Sequence, residues 1–169
     1  MCFSAGASFA AGSILSVVGI AAIHKSVLKE QYSFAAIPLL FAVQQFAEGF
    51  LWLSLLHTSF EYLQQAVTYV FLIFALVVWP LWIPFSILLL EKVIVKRRIL
   101  KLLLSTGILV SVYFAFRLVT QNIHAGIVEY HISYYTGPRT RALDITGFFY
   151  FMTTFISPMV SSVKKMRYF

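Results

Sequence analysis

Glu48 stands near the middle of an apolar run from Phe34 to Leu56, with Gln44 and Gln45 one turn before it. A carboxylate at bilayer depth costs at least a few kcal/mol, so it must face protein or water, and it is a functional-site hypothesis by default. On a helix that turns about 100° per residue, Phe41, Gln44, Gln45, Glu48, Trp52 and Leu55 share an arc about 100° wide. The amides and the carboxylate therefore sit on one face. Glu48 would bear charge, Gln44 and Gln45 would orient a ligand by hydrogen bonds, and Trp52 would form a wall. A buried carboxylate needs a cation or a proton, and Arg117 is the expected partner.

Further polar residues fall toward the same end of the apolar runs: Gln64, Gln65, Thr68 and Tyr69, then Tyr113 and Arg117, then Asp144, Thr146 and Tyr150. Of these, Gln65, Tyr113, Arg117 and Tyr150 join the Glu48 face as candidate pocket residues. The alternative for each Gln, Thr or Tyr is interhelical hydrogen bonding, worth about 0.6 kcal/mol on average. Cys2 is the single cysteine, which excludes an internal disulfide. It is a candidate nucleophile or metal ligand, against an inert buried thiol. His124 and His131 flank Glu129 in one loop and are candidate metal ligands, although their spacing matches no established ligand motif. His57 lies nine residues from Glu48 and so about 180° round the helix, at an interfacial position. The chain has no Gly-rich phosphate loop, His-Glu-x-x-His pair, Gly-x-Ser-x-Gly elbow or paired-Cys motif. No catalytic residue and no cofactor can be named from these patterns.

The elements that position these residues are membrane helices. Hydrophobic residues make up 60% of the 169 and charged residues 11%, too little polar surface for a soluble globule of 19.2 kDa. The apolar runs are continuous rather than alternating, which excludes a membrane β-barrel. Five spans follow from run length: about 3–23, 33–56, 62–90, 99–120 and 143–163, with an outer loop over 121–142. The third is overlong and carries Trp79-Pro80 and Ile83-Pro84. Cutting it at the prolines leaves pieces too short to span, so it reads as one kinked, tilted helix whose freed carbonyls are satisfied by neighbours. The first run has no charge before Lys25, so it reads as a retained span rather than a cleaved signal peptide.

Orientation follows the basic residues. With the amino terminus outside and the carboxyl terminus cytoplasmic, ten Lys and Arg fall on the inner side: Lys25 and Lys29, the Lys92 to Lys101 cluster, and Lys164, Lys165 and Arg167. Only Arg117, Arg139 and Arg141 fall outside. That bias also accounts for the +7 net charge as topology determinants beside anionic lipid, and no nucleic-acid partner is implied. Ser8, Gly12, Ser16 and Gly19 form a small-residue face on the first span, suited to close helix packing and to homo-oligomerisation. In the outer loop, Val128, Tyr130, Ile132 and Tyr134 alternate with Glu129, His131 and Ser133, which predicts a short strand or cap.

The opening Met1-Cys2-Phe3-Ser4-Ala5 and Ser8-Phe9-Ala10, Pro38-Leu39-Leu40-Phe41 with Gln44-Gln45 and Glu48-Gly49, and Trp79-Pro80 resemble a family of small bacterial multi-pass membrane proteins of unknown function. That resemblance implies a bacterial cytoplasmic membrane and the first five spans of a larger bundle, and brings no activity. The fold class expected is thus an all-α membrane protein of five transmembrane helices, with the lipid bilayer as its surroundings. The expected function is binding or translocation of a small solute or proton at an outward-facing pocket around Glu48. The alternatives are an intramembrane enzyme or metal- or haem-binding protein using Cys2 and Glu48, and a membrane scaffold without ligand.

Overall fold

The computed structural model describes residues 4 to 162. Eight α-helices and one hairpin follow one another among them: α1 (Ala5–Lys25), α2 (Lys29–Ala35), α3 (Ile37–Leu56), α4 (Gln64–Leu72), α5 (Trp79–Leu90), α6 (Ile94–Thr120), strands β1 (His124–Val128) and β2 (His131–Tyr135), then α7 (Arg141–Phe151) and α8 (Ser157–Val160). A 3₁₀ turn, Thr58–Leu63, leads into α4, and π-helical turns, Ile73–Val78 and Met152–Ile156, join α4 to α5 and α7 to α8. Five continuous helical stretches are long and apolar enough to cross a membrane: Ala5–Lys25, Lys29–Leu56, Thr58–Leu90, Ile94–Thr120 and Arg141–Val160. They overlap the five expected spans. The fourth starts five residues early, because its first turns carry Lys96, Arg97 and Arg98. Arg97 Nη1 donates to the carbonyls of Leu88, at 3.2 Å, and Glu91, at 2.8 Å, which fastens the turn between α5 and α6.

Small residues decide how α1 and α3 approach. Gly12 lies under the Phe46 ring, Gly19 faces Leu39 including its backbone nitrogen, and Gly49 receives Phe9. A Cβ at Gly19 would meet Leu39 Cγ at 2.6 Å, so only glycine permits this separation. The predicted small-residue face is therefore covered within the chain: Ser8, Gly12 and Gly19 are buried against α3, and Ser16 Oγ bonds the Gly12 carbonyl. What α1 leaves exposed is branched aliphatic, with Ile14 at 64% and Val17 at 68%.

The third stretch stays one helix across Pro80 and Pro84, as expected, and the strain appears as the π turn over Ile73–Val78. Proline supplies no N–H and its ring crowds the carbonyl one turn back, so the backbone widens before Trp79-Pro80. Neighbours satisfy the loosened carbonyls: Ser111 Oγ donates to Val77 O at 2.8 Å and Tyr150 OH to Ala75 O at 2.6 Å. The second π turn also precedes a proline, Pro158, and Thr153, Thr154 and Ser157 return their hydroxyls to carbonyls of their own helix.

The fold is not purely α-helical. The alternation in the loop becomes an antiparallel hairpin with His124 opposite Tyr135 and Val128 opposite His131. Opposed residues share a face, so Ala125, Ile127, Ile132 and Tyr134 form one side, and His124, Gly126, Val128, His131, Ser133 and Tyr135 the other. The first side packs onto the bundle. Ile132, 1% exposed, joins Leu51 and Trp52, while Tyr134 packs with both that group and the cluster of Ala47, Phe71, Leu72, Leu118 and Ile123.

Candidate functional site

Glu48 has no exposed surface, and it lies on α3 between Ala47 and Leu51, which belong to the two apolar clusters capped by the hairpin. Gln45 Nε2 donates to Glu48 Oε2 at 3.3 Å, the short reach of residues three apart on one helix. Gln44, also buried, uses its Oε1 to accept from Trp79 Nε1 at 2.8 Å, and Trp79 stacks on Phe41 with ring centroids 4.0 Å apart. Trp52 is 4% exposed and forms the wall beneath Ile132. Of the arc read from the sequence, Gln44, Glu48 and Trp52 are buried, Gln45 and Leu55 are half-buried and Phe41 is exposed.

The hairpin brings a group to this site that the sequence reading did not include. Tyr134 lies parallel to Phe71, centroids 4.8 Å apart and planes 5° apart, and its hydroxyl is buried without a hydrogen bond among the described residues. Burial raises the Tyr134 pKa far above the phenol range, and the neighbouring negative charge of Glu48 raises it further. A phenol kept neutral can donate to an oxygen that enters beside it. The alternation around Tyr134 was the available signal; its register toward Glu48 was not readable, since it depends on how the hairpin folds back.

Several expected members lie elsewhere. Arg117 is buried but not on Glu48: its Nη2 donates to Thr136 O at 2.7 Å and Pro138 O at 3.1 Å, around Gly137, whose φ is +91°. Arg117 Nη2 is committed to the loop carbonyls rather than to Glu48, and among the described residues the ion pair observed is Arg139–Asp144, at 3.0 Å and exposed. Gln65 is exposed, and its neighbour Gln64 reaches the hairpin instead, donating to Ala125 O at 3.2 Å. The 3₁₀ turn before α4 sets that phase. Tyr113 is half-buried against Phe114, and Tyr150 bonds the π turn. Tyr113 and Tyr150 thus have packing and backbone partners of their own, away from Glu48.

His124 and His131 are exposed at opposite ends of the hairpin, four register positions apart, or about 13 Å at strand rise. They cannot share one metal ion. Among the described residues no group of three His, Cys, Asp or Glu is placed to hold a metal. Cys2 lies outside the described residues, as do Lys164, Lys165 and Arg167.

Glu48 opens onto no solvent. Two cavities, of about 550 Å³ and 360 Å³, occur elsewhere: one between α4 and α6 beside Tyr69 and Leu118, the other at the opposite end beside Lys25. Ile132 and Tyr134 lie against the two apolar clusters that flank Glu48.

An α-helical bundle with five stretches apolar enough to cross a membrane, a buried carboxylate and a hairpin cover describes a class suited to the bilayer. The chain belongs to a family of unknown function (DUF6629), whose profile matches residues 1–169. Comparison with curated proteins and with solved structures gives no match.

Proposed function

We propose that this chain is a multi-pass protein of a bacterial cytoplasmic membrane, with its amino terminus and hairpin outside and its carboxyl terminus in the cytoplasm. There it binds or translocates a small solute, most simply a proton, at Glu48. The observation that carries the reading is the complete burial of Glu48 in a helical stretch long and apolar enough to cross a membrane. Desolvating a carboxylate costs several kcal/mol, so one held between the apolar clusters around Ala47 and around Leu51 is a functional-site hypothesis by default. Gln45 holds one carboxylate oxygen, Tyr134 presents a neutral hydroxyl from the cover, and Trp52 with Ile132 excludes water. Entry then requires the hairpin to lift, and Arg117 on the loop carbonyls and Gln64 on Ala125 are the polar ties that resist this.

The test is proton flux in liposomes that contain a pH-sensitive dye and carry an imposed pH gradient. Wild-type protein is expected to dissipate the gradient, and Glu48→Gln, which keeps the shape and the Gln45 contact, to slow it to the rate of protein-free liposomes while folding normally. Equal flux through both proteins, together with a higher thermal unfolding midpoint for Glu48→Gln, would make the carboxylate a structural remnant and overturn the reading.

A further inference from the structure

The cavity of about 360 Å³ lies far from the hairpin, where α1 ends and α2 begins. Its walls are Ala22, Phe34, Ile37, Pro38 and Leu90, and Lys25 and Gln31 stand at its edge. The fold holds it open. Gln31 Oε1 accepts from the N–H groups of Val27, at 3.0 Å, and Leu28, at 3.3 Å, which fixes the turn between α1 and α2. Trp82 Nε1 donates to Ser33 O at 2.9 Å and pins α2 to α5. Apolar side chains continue past the mouth: Val27 is 86% exposed, Leu28 51% and Phe34 44%. The nearby chain carries Lys25, Lys29 and Lys92 against Glu30, and the other acid, Glu91, is buried and occupied by backbone N–H groups.

We infer that this cavity takes one acyl chain of an anionic phospholipid, with the headgroup phosphate against Lys25. An apolar slot bordered by a cationic edge matches the two halves of such a lipid, and basic pockets between membrane helices on the cytoplasmic side suit anionic headgroups. A zwitterionic headgroup would bring its own cation toward Lys25 and Lys29. The inference rests on the membrane placement proposed above and is independent of any role for Glu48.

Native mass spectrometry of the full chain in detergent tests it, with phosphatidylglycerol and phosphatidylcholine of identical acyl chains offered in equal amounts. Wild-type protein is expected to retain phosphatidylglycerol preferentially. Lys25→Gln should weaken that retention about fivefold, the effect of one basic residue near an anionic headgroup. Ala22→Leu should reduce it by filling the slot, and glycerol phosphate alone should not displace the lipid. Equal retention of the two lipids, a preference untouched by Lys25→Gln, or displacement by glycerol phosphate would each overturn the inference. Flotation with phosphatidylcholine liposomes separates the two readings: protein that does not float refutes the membrane placement, whereas protein that floats without a phosphatidylglycerol preference refutes the lipid site alone.

Discussion

Among the described residues two acidic side chains are buried, Glu48 and Glu91, and their surroundings give them different work. Glu91, 2% exposed, accepts from the backbone N–H groups of Lys92 at 3.0 Å, Val93 at 2.9 Å and Ser162 at 2.7 Å, closing the start of α6 and tying it to the end of α8. Burial alone would raise its pKa, but the three donors and Lys96 outweigh that and hold it below the ordinary 4.5. A lowered folded-state pKa means stability that is fully present above the unfolded value and lost as pH falls through the folded one. The unfolding midpoint in detergent should thus fall as the pH drops below about 4.5, and Glu91→Gln should lose about 1–3 kcal/mol at neutral pH while flattening that acid slope. An unchanged slope in the variant would remove Glu91 as the cause. In the sequence Glu91 marks only the end of an apolar run, because one of its donors is Ser162, 71 positions away. Glu48 shows the reverse case: its place on the Gln44 and Trp52 face was legible from helical spacing alone, since those residues share one rigid helix.

At the scale of elements, backbone geometry is set by a few residues with no substitute. Gly107 of α6 crosses α5 where a Cβ would strike the Pro80 carbonyl, backbone that cannot rotate away. Gly107→Ala is expected to cost about 3 kcal/mol or more, read as a fall in unfolding midpoint or loss of folded protein, whereas Gly147→Ala, inside α7 with open space around it, should stabilise by up to about 1 kcal/mol. The hairpin turns on Glu129, whose φ is +55°, a conformation that suits glycine at the first position of a two-residue turn. Glu129→Gly should stabilise the hairpin by about 1 kcal/mol, measured as slower amide exchange in β1 and β2. Gly137→Ala should act oppositely, since its φ of +91° is unfavourable to a side chain and a Cβ would press on Arg117 Nη2 at 2.9 Å. The kinked third span was legible because proline chemistry is local. That Ser111 and Tyr150 would mend it was not, because they come from other helices.

For the whole molecule, Lys25, Lys29 and the Lys92 to Lys101 cluster lie at the end opposite the hairpin, and the proposed topology follows from that asymmetry. A reporter fused after Phe169 should behave as cytoplasmic and one inserted at Ser59 as external; reversed signals would place the hairpin and the Glu48 cover inside. The sequence by itself determined the number of long apolar helices, their approximate limits and which face of α3 is polar, because each depends on composition and periodicity within one segment. Only the tertiary structure decided that the small-residue face of α1 is taken by α3, that Arg117 belongs to the Thr136–Pro138 loop, and that Tyr134 and Ile132 close the bundle above Glu48. Those outcomes are choices among partners far apart in the chain, and a one-residue change of register, as between Gln64 and Gln65, is enough to reverse them.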